Sequence, residues 1–418
     1  MLFEELGLRT ELLRAVTVNG YTEPTPIQIK TIPSILNGRD IMGGAQTGTG
    51  KTAAFALPIL QLLAARNNKR QSPRALVLTP TRELAEQVFQ SMRTYGREMP
   101  LRSAVIYGGV NIRPQIIRFR QGVDILVATP GRLLDHLNQR TLDLSHIQIL
   151  VLDEADRMLD MGFIPDIKKI IHKLPRKRQS LLFSATLSND IMHLADGLLT
   201  DPKLIQVDPG NTAADCVSQV VHPVMRARKS RLLNYLIHNG KWRRVLVFTR
   251  TKRGADRLTG QLKREKVRAA AIHGDKTQAV RTRVLSDFKK GFIHVLVATD
   301  IAARGLDISG LPYVVNYDLP EVPIDYIHRI GRTGRAGLNG IALSLVCEEE
   351  WGRLTDIEMA LNYKVKVEEI KGFSAPFLNN INQAECTAVP TGMPVAEGSR
   401  YRKYLSGNRR LKRPRRRV

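Results

Sequence analysis

Ten short apolar runs recur along this chain, and nearly all close on a small or polar cluster. The first five are DIMGGAQT from 40, ALVLTP from 75, DILVATP from 124, ILVLDEAD from 149 and SLLFSAT from 180. The series resumes with VLVFTR from 245, AAIHGD from 270, VLVATD from 295, YVVNYDLP from 313 and GIALSLV from 340. Runs of Val, Ile and Leu without polar alternation belong to strands covered on both faces. Helix-length stretches such as TRELAEQVFQSMRTYG (81–96) lie between them. Alternating strand and helix dictates parallel sheets flanked by helices, a layered α/β fold.

The runs also repeat. ALVLTP at 75 aligns with VLVFTR at 245, and ILVATP at 125 with VLVATD at 295, both at an offset of 170. Two matches in one register predict two related α/β domains in tandem. The Pro, Gly, Asn and Asp cluster DPGNTAADC (208–216) marks the boundary. The expected division is a first domain over 1–208, a linker over 209–217 and a second domain over 218–366. Beyond it, 367–418 ends in RYRKYLSGNRRLKRPRRRV, with ten basic residues, no acid and two tyrosines. Such a segment cannot bury a core, and it suits a disordered, sequence-tolerant RNA tether.

At 418 residues the chain exceeds one typical core. Sixty-four Lys and Arg against 39 acids leave a net +25, which calls for a polyanionic partner, nucleic acid before membrane. Cys216, Cys347 and Cys386 form no C-x-x-C pair, so neither a disulfide framework nor a zinc site is expected. MLFEELGLRTELLRAV carries acids where a signal peptide needs a basic start, and no apolar run reaches membrane-span length. The expectation is a soluble cytoplasmic protein with no membrane partner.

Ligands of open parallel sheets bind beyond the carboxyl ends of the strands, where these polar clusters sit. AQTGTGKT (Ala45, Gln46, Thr47, Gly48, Thr49, Gly50, Lys51, Thr52) fits a phosphate-binding loop, with Ala in the first position of G-x-x-x-x-G-K-[ST]. Gly48 and Gly50 let backbone N–H groups close on phosphate oxygens, Lys51 suits the β and γ phosphates, and Thr52 suits Mg²⁺. In DEAD (153–156), Asp153 follows a buried strand and suits the same Mg²⁺, while Glu154 suits activation of an attacking water. Asp156 or Asp160 suits capping of the following helix.

These motifs resemble those of the DEAD-box ATP-dependent RNA helicases, and among them the bacterial RhlE-like branch, over roughly residues 1–365. The resemblance implies two RecA-like domains that close over ATP and single-stranded RNA. It implies that GYTEPTPIQ (20–28) reads adenine, with Gln28 on the base edge, Tyr21 stacked beside it and Phe3 as the upstream aromatic. Ser184 and Thr186 of SAT would couple hydrolysis to domain movement through hydroxyls near the DEAD carboxylates, and Asp307 in ARGLDI would bind the ribose.

The same resemblance assigns RNA contacts to Pro80, Thr81 and Arg82 of PTRELA, Gly109 of YGG, and Thr129 and Arg132 of TPGR. In the second domain it assigns Thr249, Arg250, Gly274, the Q-x-x-R pair Gln278 and Arg281, and Thr299. Hydroxyls, amides and guanidinium groups of this kind suit phosphates and 2′-hydroxyls. In HRIGRTGR (328–335), Arg332 and Arg335 look like arginine fingers, His328 like a sensor of the closed interface, and Arg329 like a structural residue. The implied activity is RNA-stimulated ATP hydrolysis coupled to local unwinding of short duplexes, with ribosome assembly or RNA turnover as the expected roles, by a monomer. An ATP-gated RNA clamp and a DNA motor remain open beside it.

Overall fold

The computed structural model describes residues 2–45, 48–65, 72–206, 217–303, 308, 310–334 and 340–378. Gln46, Thr47, Asp307, Arg335 and the basic tail from 379 onward therefore lie outside the described residues. One compact unit spans Met1–Ser374, and a second unit begins at Ala375.

The first unit carries two seven-stranded, all-parallel sheets. Strands of the first are β1 (Ile41–Gly44), β2 (Ala75–Leu78), β3 (Ser103–Ile106), β4 (Ile125–Ala128), β5 (Ile149–Leu152), β6 (Gln179–Ser184) and β7 (Lys203–Gln206). The second holds β8 (Val217–Pro223), β9 (Val245–Phe248), β10 (Ala269–Ile272), β11 (Val295–Ala298), β12 (Tyr313–Asn316), β13 (Gly340–Val346) and β14 (Lys366–Val367). The orders are β3-β4-β2-β5-β6-β1-β7 and β10-β11-β9-β12-β13-β8-β14. Renumbering the second from its own first strand reproduces the order of the first. The offset of 170 pairs β2 with β9 and β4 with β11, strands at equal positions in the two sheets.

Continuous apolar runs became doubly covered strands, as expected. Ala75 and Val77 of β2 face one core while Leu76 and Leu78 face another, because successive side chains point to opposite faces. In β9, Val245 and Val247 divide from Leu246 and Phe248 in the same way. The helix Arg82–Tyr95 buries Leu84, Ala85, Val88, Phe89, Met92 and Tyr95 at helical spacing, and Thr81 caps it by accepting from Leu84 N–H at 3.2 Å.

Four strands carried no such run: β3, β7, β8 and β14. β3, β7 and β14 are sheet edges, and β7 and β14 expose most of their residues, so no apolar pattern is required of them. β8 begins at Val217, the last residue of the expected linker, and 207–216 lie outside the described residues. The second lobe also runs past 366, since Ile370 and Phe373 pack on its core.

Candidate functional site

Parallel register sets the site. Gly44 pairs with Ser184, Leu78 with both Ala128 and Leu152, and Ile106 with Ala128. The clusters after these strands therefore share one edge of the sheet. Ala45 N–H donates to Ser184 O at 3.0 Å, Asp153 N–H to Leu78 O at 3.0 Å and Thr129 N–H to Ile106 O at 3.1 Å. Strand order then sorts them. YGG, TPGR and PTRELA follow the three strands of one half, β3, β4 and β2, whereas DEAD, SAT and the phosphate loop follow β5, β6 and β1. The second sheet places HGD, VLVATD and VFTR after β10, β11 and β9, the corresponding half.

A cavity of about 1350 Å³ is lined by Gly48, Gly50, Lys51 and Thr52 of the loop and by Asp153 and Glu154. Gln28 and Tyr21 line it from the N-terminal segment, and Arg332 from the second lobe. Lys51 is buried at the first position of the helix Lys51–Ala64, and its Nζ donates to Ala45 O at 2.8 Å. Gly50 caps this helix with φ +91°, a left-handed conformation that side chains disfavour. A Cβ there would stand 2.5 Å from Gln28 Nε2, so shape and backbone both demand glycine.

Gln28 bridges two motifs. Its Oε1 accepts from Thr25 N–H at 2.9 Å, and its Nε2 donates to Gly50 O at 3.1 Å. An amide has two donors and two lone pairs, so one of each remains, the pair an adenine edge accepts. Tyr21 is half-exposed and bonds Tyr95 through its hydroxyl at 2.9 Å. Phe3 is placed differently from the expectation: it is buried in the core beside Leu6 and Leu12 and does not line the cavity.

Asp153 is buried and its Oδ1 has no hydrogen-bond partner. Burial is the main cause that lifts its carboxyl to about 6, with the Lys51 ammonium opposing and Glu154 adding to the rise. A buried carboxylate oxygen without a donor, beside a lysine and the Thr52 hydroxyl, fits a hard divalent cation. Glu154 has φ +56°, unusual for a residue with a side chain, and Arg157 clamps its carboxylate at 2.9 Å with both side chains buried. Arg157 was not singled out from sequence, although its position three residues after Glu154 within one helical turn was the available signal.

Asp156 is not a helix cap. It is buried and accepts from Ala185 N–H at 3.2 Å, tying DEAD to SAT. The Ser184 hydroxyl instead donates to Thr186 O at 2.6 Å, so the observed link between the motifs runs through a backbone amide.

On the other half of the edge, Thr81 and Thr129 are buried and Arg82 lies against Gly109, whose φ is +78°. Arg132 donates to Val110 O at 2.9 Å. Gln278 and Arg281 do not stand apart from the first lobe. Glu83 accepts from Arg281 at 2.9 Å and from Gln278 Nε2 at 3.1 Å, and Arg82 reaches Gln278 Oε1 at 3.4 Å. Arg250 pairs with Glu350 at 3.0 Å, and Thr249 is fully buried, its hydroxyl 3.5 Å from Thr251 O. Gly274 lies beside Lys252, and Thr299 is buried where the helix Asp300–Ala303 begins.

Two arginines of HRIGRTGR, Arg329 and Arg332, lie in different surroundings. Arg329 is buried, pairs with Asp300 at 2.6 and 2.7 Å, bonds Asn316 and Asp318 O, and lies 4.9 Å over the Phe248 ring. Arg332 faces the cavity that holds Lys51 and Asp153. His328 lies 3.8 Å from Asp325.

A phosphate loop, a strand-end carboxylate pair and an arginine from a second, like-ordered sheet define a nucleotide hydrolase of tandem RecA-like architecture. Residues 25–194 match the DEAD/DEAH box helicase family, and residues 228–337 match the helicase conserved C-terminal domain. The chain is 44% identical over 390 residues to the ATP-dependent RNA helicase CshA of Limosilactobacillus reuteri, covering 92% of this chain and 78% of that protein. It is 46% identical over 363 residues to the DEAD-box ATP-dependent RNA helicase CshA of Bacillus anthracis, covering 87% and 68%. Among solved structures, S. cerevisiae Dbp5 bound to RNA and ADP BeF3 superimposes with TM-score 0.80 at 31% identity, covering 92% of this chain and 99% of that one. The chain belongs to the DEAD-box ATP-dependent RNA helicases, ATP-hydrolysing enzymes that act on RNA. No helix among the described residues is long and apolar enough to cross a membrane.

Proposed function

We propose that this helicase hydrolyses ATP between its two lobes, clamps the RNA backbone along the β3-β4-β2 half of the edge, and unwinds short duplexes locally. The observation that carries the reading is the single cavity lined by Lys51, Asp153 and Glu154 of one lobe and Arg332 of the other. The free donor and acceptor of Gln28 read adenine, with Tyr21 beside the base. Thr52 and Asp153 would hold Mg²⁺, which would supply charge neutralisation at the phosphates. Lys51 orients the phosphates, Glu154 takes the proton of the attacking water, and Arg332 meets the charge that grows on the transferred group. Arg335 and Asp307, outside the described residues, complete the finger pair and the ribose contact in this reading.

RNA is gripped by Thr81, Arg82, Gly109, Thr129 and Arg132 with the hydroxyls and cations of the second lobe, through backbone rather than base edges. Little sequence specificity follows. The Glu83 pair with Arg281 and Gln278 supports a role for those two residues in joining the lobes across the RNA groove. A first domain ending near 208, a second running from Val217 to beyond Phe373, an RNA-tethering basic tail, a monomeric cytoplasmic enzyme, and work on ribosomal precursors or in RNA degradation complete the proposal. The motifs resemble the RhlE-like branch while the bacterial relatives above carry the name CshA, so the DEAD-box RNA helicase family is the part both support.

Steady-state ATPase without nucleic acid, with single-stranded RNA and with single-stranded DNA tests it. Strong stimulation by RNA alone is expected. Equal stimulation by DNA would reject RNA as the partner, and stimulated hydrolysis without strand displacement would leave a clamp.

A further inference from the structure

A second groove, of about 840 Å³, lies along the outer edge of the first sheet, at the opposite end of β3 from the catalytic edge. Its floor is core: Phe89, Met92, Met99 and Val123 are buried. Its rim is arginine. Arg93 lies in the last turn of the helix Arg82–Tyr95, Arg97 just beyond its end, Arg102 precedes β3, and Arg118 lies in the last turn of the helix Arg113–Arg120. No Asp or Glu lines the groove.

Like charges this close in sequence repel, and two more guanidinium groups line the same groove. Among the described residues, Arg93, Arg97 and Arg118 have no carboxylate partner; Arg93 lies over the Phe89 ring at 5.7 Å, and Arg102 donates to Gln121 O. The acid nearest in sequence, Glu98, faces Arg14 at 3.5 Å. Arg93 and Arg118 also line the central cavity, so the basic rim is continuous with it.

We propose that this groove binds the sugar–phosphate backbone of RNA flanking the segment held in the cleft. Planar guanidinium forks suit phosphates, and the absence of any exposed ring along the rim leaves nothing for bases to stack on. The groove therefore extends the footprint without reading sequence. This rests on RNA as the partner of the cleft, the function proposed above.

The test is Arg97→Gln/Arg102→Gln, which changes only arginines that do not line the central cavity. Binding is measured over a salt series to an RNA of ~8 nucleotides, within one cleft's span, and to one of ~30 nucleotides. The variant is expected to bind the long RNA about tenfold more weakly, with a log-salt slope shallower by about 1.4, because each lost phosphate contact on a single strand removes about 0.7. Affinity for the short RNA and the ATPase it stimulates stay at wild-type values, and the double Arg→Lys variant recovers most of the long-RNA affinity. Unchanged long-RNA affinity would overturn the proposal and leave an acidic protein as the occupant. Equal weakening for both lengths would overturn it too, by showing that the arginines act through the cleft or the fold. Wild-type ATPase that ignored RNA would reject the functional reading separately, since the groove is judged by binding alone.

Discussion

Glu83, on the helix that follows PTRELA, accepts from Arg281 of the second lobe at 2.9 Å, and both side chains are nearly removed from solvent. Two residues 198 positions apart thus meet, one of them, Arg281, expected from sequence to contact RNA. Removing one partner of a shielded pair strands the other, so Glu83→Gln should lower RNA-stimulated ATPase about tenfold while basal turnover holds. A double-mutant cycle with Arg281→Gln checks it. Coupling of about 1–3 kcal/mol in RNA-stimulated turnover is expected, and additive losses would reject the joint.

Gly50→Ala should weaken ATP binding at least tenfold. The substitution sets a Cβ against the Gln28 amide at a φ of +91°, and left-handed strain alone costs roughly 1–2 kcal/mol. Titration with a non-hydrolysable ATP analogue measures the loss. Gln28→Ala in the Gly50→Ala background should add little, because the first change already displaces the amide.

Glu154→Gln should abolish turnover yet keep ATP-dependent RNA binding, because the amide still meets Arg157 sterically but takes no proton. Single-turnover hydrolysis and filter binding on the same preparation read the two properties. Loss of both together would assign Glu154 to architecture rather than chemistry.

Arg329 and Arg332 should fail in opposite assays. Arg329→Lys removes a planar fork from a buried site holding Asp300 and Asn316, and should destabilise the second lobe by about 3–5 kcal/mol. Arg332→Gln should lower turnover on the order of 10³-fold and lower the melting temperature less than Arg329→Lys does. Calorimetry and ATPase on both variants separate the roles.

His136 should set part of the acid limit of stability. It is buried between Thr141 and Gln115 with an edge-on Phe119, and burial with the nearby Arg132 charge depresses its imidazole to about 4. The folded state therefore binds fewer protons than the unfolded chain between pH 4 and the usual value near 6.5. Stability from this residue is whole above about 6.5 and is lost as pH falls towards 4, by up to roughly 3 kcal/mol. His136→Gln should narrow the fall in melting temperature between pH 7.5 and pH 5 by several degrees; an identical fall would reject it.

Much of this was legible in the residues. The ten apolar runs all became strands, because a strand covered on both faces must be apolar at every position, and that demand is local. Strands β3, β7, β8 and β14 escaped: β7 and β14 expose most of their residues, and the short SAVI of β3 and the mixed VSQVVHP of β8 carry no long apolar run. Lys51, Asp153 and Glu154 were readable for a similar reason: phosphate chemistry needs particular groups at a strand end, whatever surrounds them. The motif singled out Arg332, which lines the cavity of Lys51 and Asp153, apart from the buried Arg329.

The pairings were not. Sequence order runs phosphate loop, PTRELA, YGG, TPGR, DEAD, SAT, and only the crossing strand order divides these into two halves of one edge. Gln28 on Gly50, Asp156 on Ala185 and Glu83 on Arg281 depend on distances between elements far apart in the chain. Local chemistry determined which groups this protein carries. Tertiary structure alone decided which of them touch, because a contact is a property of two places at once, and a sequence specifies its neighbours only along the chain.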